Sequence, residues 1–151
     1  MAGAWTNKGK YRFLDWVLRG TTMPTNFYIY LITNATVPDA DTNTLSQVTE
    51  IATGNGYTET SLTPGATDFD SITENDTDDR GECQIKDLVW TASGGPIPSS
   101  GTGAYYAVLT DDNATEASRE ILGFFDLTGP VSVSDGQSLT LQNCELRLTT
   151  G

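Results

Sequence analysis

"KYRFLDWVLRGTTMPTNFYIYLIT", residues 10–33, sets a short amphipathic run directly before an intensely aromatic and β-branched one. In the first run Tyr11, Leu14 and Leu18 recur at i, i+3 and i+7 with Val17 beside them, the spacing of one apolar helix face, while Lys10, Asp15 and Arg19 fall elsewhere. Gly20 then supplies a helix stop. The second run, Phe27 to Thr33, carries the residue types that fit a pleated surface. The stretch therefore predicts a helix over 10–18 that caps one open end of a β core, with the first core strand following at once. Trp5, Phe13 and Trp16 lie off the apolar stripe and are the candidates for contact outside the domain, since large aromatics dominate protein interfaces.

The remainder of the chain keeps to the β reading. Thr, Ser, Asn, Asp and Gly crowd the spaces between short apolar runs, which is how sandwiches and barrels are punctuated. Strands are expected at Phe27 to Thr33, Gly56 to Leu62, Cys83 to Ala92, Ala104 to Thr110, Glu120 to Leu127 and Ser138 to Thr149, with short additions at 66–69 and 130–133. That makes an all-β, antiparallel, jelly-roll-like sandwich of about eight strands with a short N-terminal helix. In "ECQIKDLVW" (82–90) Asp87 breaks the apolar alternation. In "AYYAVLT" (104–110) both faces are apolar, which marks a central strand. In "SLTLQNCELRLT" (138–149) the apolar parity switches near Asn143, as a bulge would make it do.

Length and charge bound the function. The 151 residues, 37% hydrophobic, suit one domain, 1–151, divided here into a segment 1–22 that docks and a sandwich 23–151. A net charge of −12 is repelled by phosphate, so nucleic acid and anionic membrane are not expected partners. No apolar run reaches the roughly 18 residues of a membrane span, and "MAGAWTNKGKYRFLDW" lacks the apolar heart of a secretory signal, so synthesis and assembly are expected in the cytoplasm. Cys83 and Cys144 are then read as two buried free thiols rather than a bridge.

Chemistry-bearing patterns are sparse. With no histidine, the commonest general base and metal ligand is missing, and no P-loop, G-x-G-x-x-G, G-x-S-x-G or C-x-x-C occurs. Neither enzyme, cofactor nor metal is expected. "TENDTDDRGE" (73–82) imitates a calcium loop but lacks its Gly and Glu spacing, and is read as a solvated acidic turn. Two connections are long: 34–56, expected to fold as an arm around a helical turn at Leu45–Ile51, and 91–103, a Gly, Ser and Pro excursion suited to ordering against a neighbour.

The opening stretch, together with "ADTNTLSQVTEIATGNGY", "QIKDLVWTASGG", "YYAVLTDD" and "GQSLTLQNCELRLT", resembles a family of small virion structural proteins of tailed bacteriophages. Members share a short helix, "RG", a Pro-containing link, an aromatic strand, a Glu followed by G-x-G-Y, and a late "LTL" strand. Arg19, Gly20, Pro24, Glu50, Gly54, Gly56 and Tyr57 match those positions. The resemblance implies a virion part, in head or tail. No shaft-forming repeat is present, which favours a capsid decoration or cement protein held on the major capsid protein by avidity, as a homo-oligomer in the particle. Trp5, Tyr11, Phe13 and Trp16 are the expected docking residues, with Ile97 as a second contact. The alternatives are a tail, collar, baseplate or fibre-associated subunit, or a receptor- or glycan-binding module using Tyr28, Tyr30, Trp90, Tyr105 and Tyr106.

Overall fold

Alternation in the aromatic run decides the architecture. Phe27–Ile32 forms strand β2, and its two parities are both buried, in separate clusters. Phe27, Ile29 and Leu31 face the main core, while Tyr28, Tyr30 and Ile32 face a second, smaller one. Such a strand must be sandwiched, and it lies inside a five-stranded antiparallel sheet. The computed structural model describes residues 1–149, in which β1 (Ala4–Trp5) and a helix α1 (Asn7–Arg19) precede β2. They are followed by β3 (Thr60–Leu62), β4 (Ser71–Asn75), β5 (Arg80–Ile85), β6 (Leu88–Thr91), β7 (Ala104–Thr110), β8 (Ile121–Val131), β9 (Ser138–Leu141) and β10 (Cys144–Thr149). The first sheet runs β1-β8-β7-β2-β3; the opposing layer is built from β10-β5-β4 and β6-β9.

That opposing layer is one ladder interrupted by a corner. Cys144 pairs with Ile85 and Leu141 with Leu88, so Lys86–Asp87 and Gln142–Asn143 face each other across the break. The interruption resets the alternation, leaving Ile85, Leu88 and Trp90 all buried. Asp87 and Asn143 are thus corner residues: Asn143 takes a left-handed φ of 56°, and its N–H donates to Asp87 Oδ1 at 3.2 Å. The bulge expected near Asn143 is a full strand break. The all-β sandwich with a short N-terminal helix is otherwise as the sequence predicts, with ten strands among the described residues in place of about eight.

Three expectations need correction. Residues 66–69 form a turn, not a strand, held by Phe69 N–H donating to Gly65 O. The "acidic turn" 73–82 lies within a hairpin of β4 and β5, whose arms over these residues are too polar to show apolar alternation; only Asp76 to Asp79 turn. The 34–56 connection is no free arm. Thr33 N–H donates to Thr49 O and Ile51 N–H to Leu31 O, while Leu45 and Val48 cover Tyr30 and Val108. Apolar side chains in a Thr- and Asn-rich loop are enough to flatten it onto the sheet.

The residues matched by the resemblance have structural work here. Tyr57 is buried; its hydroxyl accepts from Leu31 N–H at 2.8 Å and donates to Glu50 Oε1 at 2.9 Å. Gly56 has φ 97°, and a Cβ there would lie 2.2 Å from Thr91 O, so only glycine lets this loop pass. Cys83 and Cys144 are both free thiols, placed diagonally on one face of the β5–β10 ladder.

Candidate docking surface

The N-terminus is woven into both layers before α1 begins. Gly3 N–H donates to Glu145 O at 2.7 Å and Glu145 N–H to Met1 O at 2.9 Å, so residues 1–3 run along β10. One residue later Ala4 and Trp5 pair with Phe124 and Gly123 of β8. Trp5 Nε1–H then donates to Arg147 O at 2.9 Å. This crossing fixes where α1 starts. Thr6, fully buried, caps it: its Oγ1 accepts from Gly9 N–H at 2.9 Å and donates to Ile121 O at 2.5 Å.

Close packing then selects which face of α1 turns inward. A Cβ on Gly9 would lie 1.9 Å from Leu122 O, so the helix backbone rests directly on β8 at this point. At 100° per residue, Phe13 and Trp16 share the side of Gly9. Phe13 packs on Trp5 with ring centroids 6.3 Å apart, and Trp16 meets Phe27 edge-on at 6.0 Å. Arg12 makes a two-pronged ion pair with Glu120, at 2.5 and 3.0 Å. Burial alone would raise the Glu120 carboxyl, but Arg12 and Lys8 hold it below its ordinary value. At the other end Gly20 closes the helix in the left-handed conformation, φ 68°, with its N–H donating to Asp15 O.

The consequence reverses the expected orientation. Tyr11, Leu14, Val17 and Leu18, read as the face that caps the core, point to solvent with exposures of 50%, 54%, 60% and 75%. Trp5, Phe13 and Trp16, expected to reach outside, are half-buried against the sandwich. Ile97 is fully buried, its backbone paired in both directions with Val133, and is no surface contact at all. Its loop, 91–103, is accordingly tied down rather than waiting for a neighbour. Of the five expected docking residues only Tyr11 sits on an open face. The missed residues are Leu14, Val17 and Leu18. A second periodic set, Gly9, Phe13 and Trp16, was there to read, with the glycine marking the side that lies closest to a sheet.

The exposed stripe is also unusual electrically. Lys8, Lys10, Arg12 and Arg19, half of the chain's eight Lys and Arg, lie on α1 against Asp15 alone. The helix carries +3 and the rest of the chain −15. Lys8 and Arg12 are committed to Glu120, whereas Lys10 is exposed and Arg19 only grazes Asp15 at 4.0 Å. Contiguous exposed apolar side chains flanked by charge mark a contact surface.

The aromatics of the glycan alternative are mostly structural. Trp90 is buried with its Nε1–H donating to Thr58 O at 2.9 Å, and Tyr30 is buried beneath Glu116 and Arg119. Tyr28 lies under the Arg119 guanidinium at 3.9 Å. The half-buried carboxyl of Glu50, raised to about 7 by burial with Glu59 and Glu116 adding to it, is engaged by Tyr57. Asp76 to Asp79 form the hairpin turn, Asp78 bound to Arg80 at 3.0 Å. No group of three or more Cys, Asp or Glu among the described residues is arranged to hold a metal ion, and none of their helices is long and apolar enough to cross a membrane.

No protein-family model matches this chain, and neither a curated protein nor a solved structure matches it.

Proposed function

We propose that this chain is a non-enzymatic virion structural protein, a decoration subunit on the capsid of a tailed bacteriophage, that joins its particle through the outward face of α1. The observation that carries the reading is the solvent-facing stripe Tyr11, Leu14, Val17 and Leu18 on a helix whose opposite face already packs on the sandwich. A helix seated by Gly9, Phe13 and Trp16 has no folding need for four more apolar residues, and exposing them carries an aggregation risk that a partner surface would remove. The resemblance of the N-terminal pattern and of the Glu50 to Tyr57 segment to small virion proteins supplies the setting. An acidic body suits a particle exterior, since like charge keeps particles apart.

Deleting residues 1–19 would remove the seam between β8 and β10 and confuse docking with folding. The informative variant is Leu14→Asp with Leu18→Asp, because both side chains are already in water. Particles assembled with it should lose the chain while the soluble protein keeps its stability. Undiminished occupancy would discard α1 as the attachment surface.

A further inference from the structure

The sandwich carries a second unpartnered apolar surface, at the tip of the β4–β5 hairpin. Register puts Ile72, Cys83 and Leu146 side by side across β4, β5 and β10, and next to them Glu74, Gly81 and Leu148 on the same face. At the base of this face Ile85, Cys144 and Leu146 are buried in the core. Towards the tip the ladder projects beyond the core, leaving Ile72 at 78% and Leu148 at 44% exposure. Gly81 sits between them with nothing within 4 Å of where a side chain would begin. The result is a wide, shallow hollow of about 790 Å³ in which Ile72 and Leu148 are the apolar side chains and Thr73, Asn75 and Thr149 lie among them. Its rim carries Glu74, Asp76 and Asp79, all exposed and none with a cation within ion-pair distance among the described residues, together with Arg80, so the rim is net acidic. The cations of this sheet, Arg80 and Arg147, are tied to Asp78 with Glu82 and to Glu145 respectively.

The two surfaces are complementary. One is a convex apolar stripe beside Lys10 and Arg19; the other is a shallow hollow that offers Ile72 and Leu148 beside Glu74, Asp76 and Asp79. We infer that α1 of one copy docks in the β4–β5–β10 hollow of the next, a heterologous contact between copies of this chain. It deepens the reading of α1 as the assembly surface by naming what lies against it.

Amphipathic helices are commonly received in grooves, read through anchors at i, i+3 and i+7, which here are Tyr11, Leu14 and Leu18. Because donor and acceptor surfaces differ, each copy has one of each to offer, and the contact propagates into a ring or lattice rather than stopping at a two-fold dimer. Four anchors cover much less than the roughly 800 Å² per partner of a standard interface, so the contact is weak between free copies. It becomes effective when a closed ring of copies makes all of its contacts together.

Sedimentation velocity of the full chain at concentrations up to about 1 mM reads this association directly, since weak contacts have Kd values in that range. Three variants separate the surfaces: Leu14→Glu with Leu18→Glu on the helix, Ile72→Glu in the hollow, and Lys10→Glu with Arg19→Glu. Each should be monomeric where wild type associates, with association weakened at least tenfold. Mixing the helix variant with the hollow variant should give a one-to-one dimer and nothing larger, because one good surface remains on each. Adding Glu74→Lys and Asp76→Lys to the Lys10→Glu, Arg19→Glu chain should restore self-association. A wild type that stays monomeric throughout overturns the inference, as does a mixture of the two single-surface variants that stays monomeric. If helix variants lose shell occupancy while wild type shows no self-association, the attachment reading stands and only the copy-to-copy contact falls.

Discussion

Gly9→Ala gives the sharpest test of how α1 is seated, because two physical effects predict opposite signs. Helix propensity favours Ala over Gly by up to about 1 kcal/mol. Against this, the new Cβ would stand 1.9 Å from Leu122 O and 2.7 Å from its carbonyl carbon. A carbon and a carbonyl oxygen approach no closer than about 3.3 Å, so α1 must retreat from β8 by about 1.4 Å. Retreat disturbs the Thr6 Oγ1 bond to Ile121 O and the Thr6 N–H bond to Leu122 O, at 2.5 and 3.1 Å, and loosens Phe13 and Trp16. Overpacking costs about 1–3 kcal/mol and each lost hydrogen bond about 1 kcal/mol. With both hydrogen bonds lost and the propensity gain subtracted, a net loss of about 2–4 kcal/mol remains. With a urea slope of about 2 kcal/mol per molar, the unfolding midpoint should fall by about 1–2 M with the slope unchanged. An unchanged or raised midpoint would refute the seating of α1 on β8, and with it the identity of its outward face.

The same titration makes a companion prediction: Leu18→Ala, at a side chain mostly in water, should shift stability by no more than about 0.5 kcal/mol. Thr6→Ala should cost about 1–2 kcal/mol, since it removes a helix cap and leaves Ile121 O short of a donor. Glu50 gives a pH signature. Its folded pKa of about 7 lies above the unfolded value, so its contribution is complete below about pH 4.3 and is lost as pH rises through 7. Glu50→Gln should therefore match wild type near pH 4 and exceed it at pH 8.5 by about 1–2 kcal/mol, after allowance for partial exposure. A gap that does not vary with pH would contradict the burial assigned to Glu50. For the thiols, burial pushes Cys144 up to about 12 and raises Cys83 as well. Alkylation of native protein at pH 8 should be slow at both, and at Cys144 it should wait for unfolding.

How far the sequence could be read differs element by element. Phe27 to Ile32 was legible because each parity of a two-residue period carries large apolar side chains, and a strand with two apolar faces has to be buried on both. The helix before it was legible in existence but not in orientation. Thirteen residues contain two apolar sets of helical period, Tyr11–Leu14–Leu18 and Gly9–Phe13–Trp16, and hydropathy alone favours the wrong one. The deciding factor is a close backbone approach at Gly9, which depends on the Leu122 carbonyl more than a hundred residues away. Strand β4 and the first half of β5 are illegible for a related reason. Ser71–Asn75 and residues 80–82 are mostly polar and none is buried, so nothing in their own pattern records the pairing with each other that makes them strands. Strand β5 reads as a strand only from Cys83 onward. Ile97 reads as a surface contact because its neighbours are Gly, Ser and Pro. Its burial comes from Val133, a long-range partner that local composition does not reveal.

The central claim, that this chain is a virion subunit held by the outward face of α1, is tested most directly by cryo-electron microscopy of the purified particle. The account predicts many copies on the capsid shell, with Tyr11, Leu14, Val17 and Leu18 buried against a neighbouring protein. Particles without the chain, or copies whose α1 stripe faces open solvent, would contradict it.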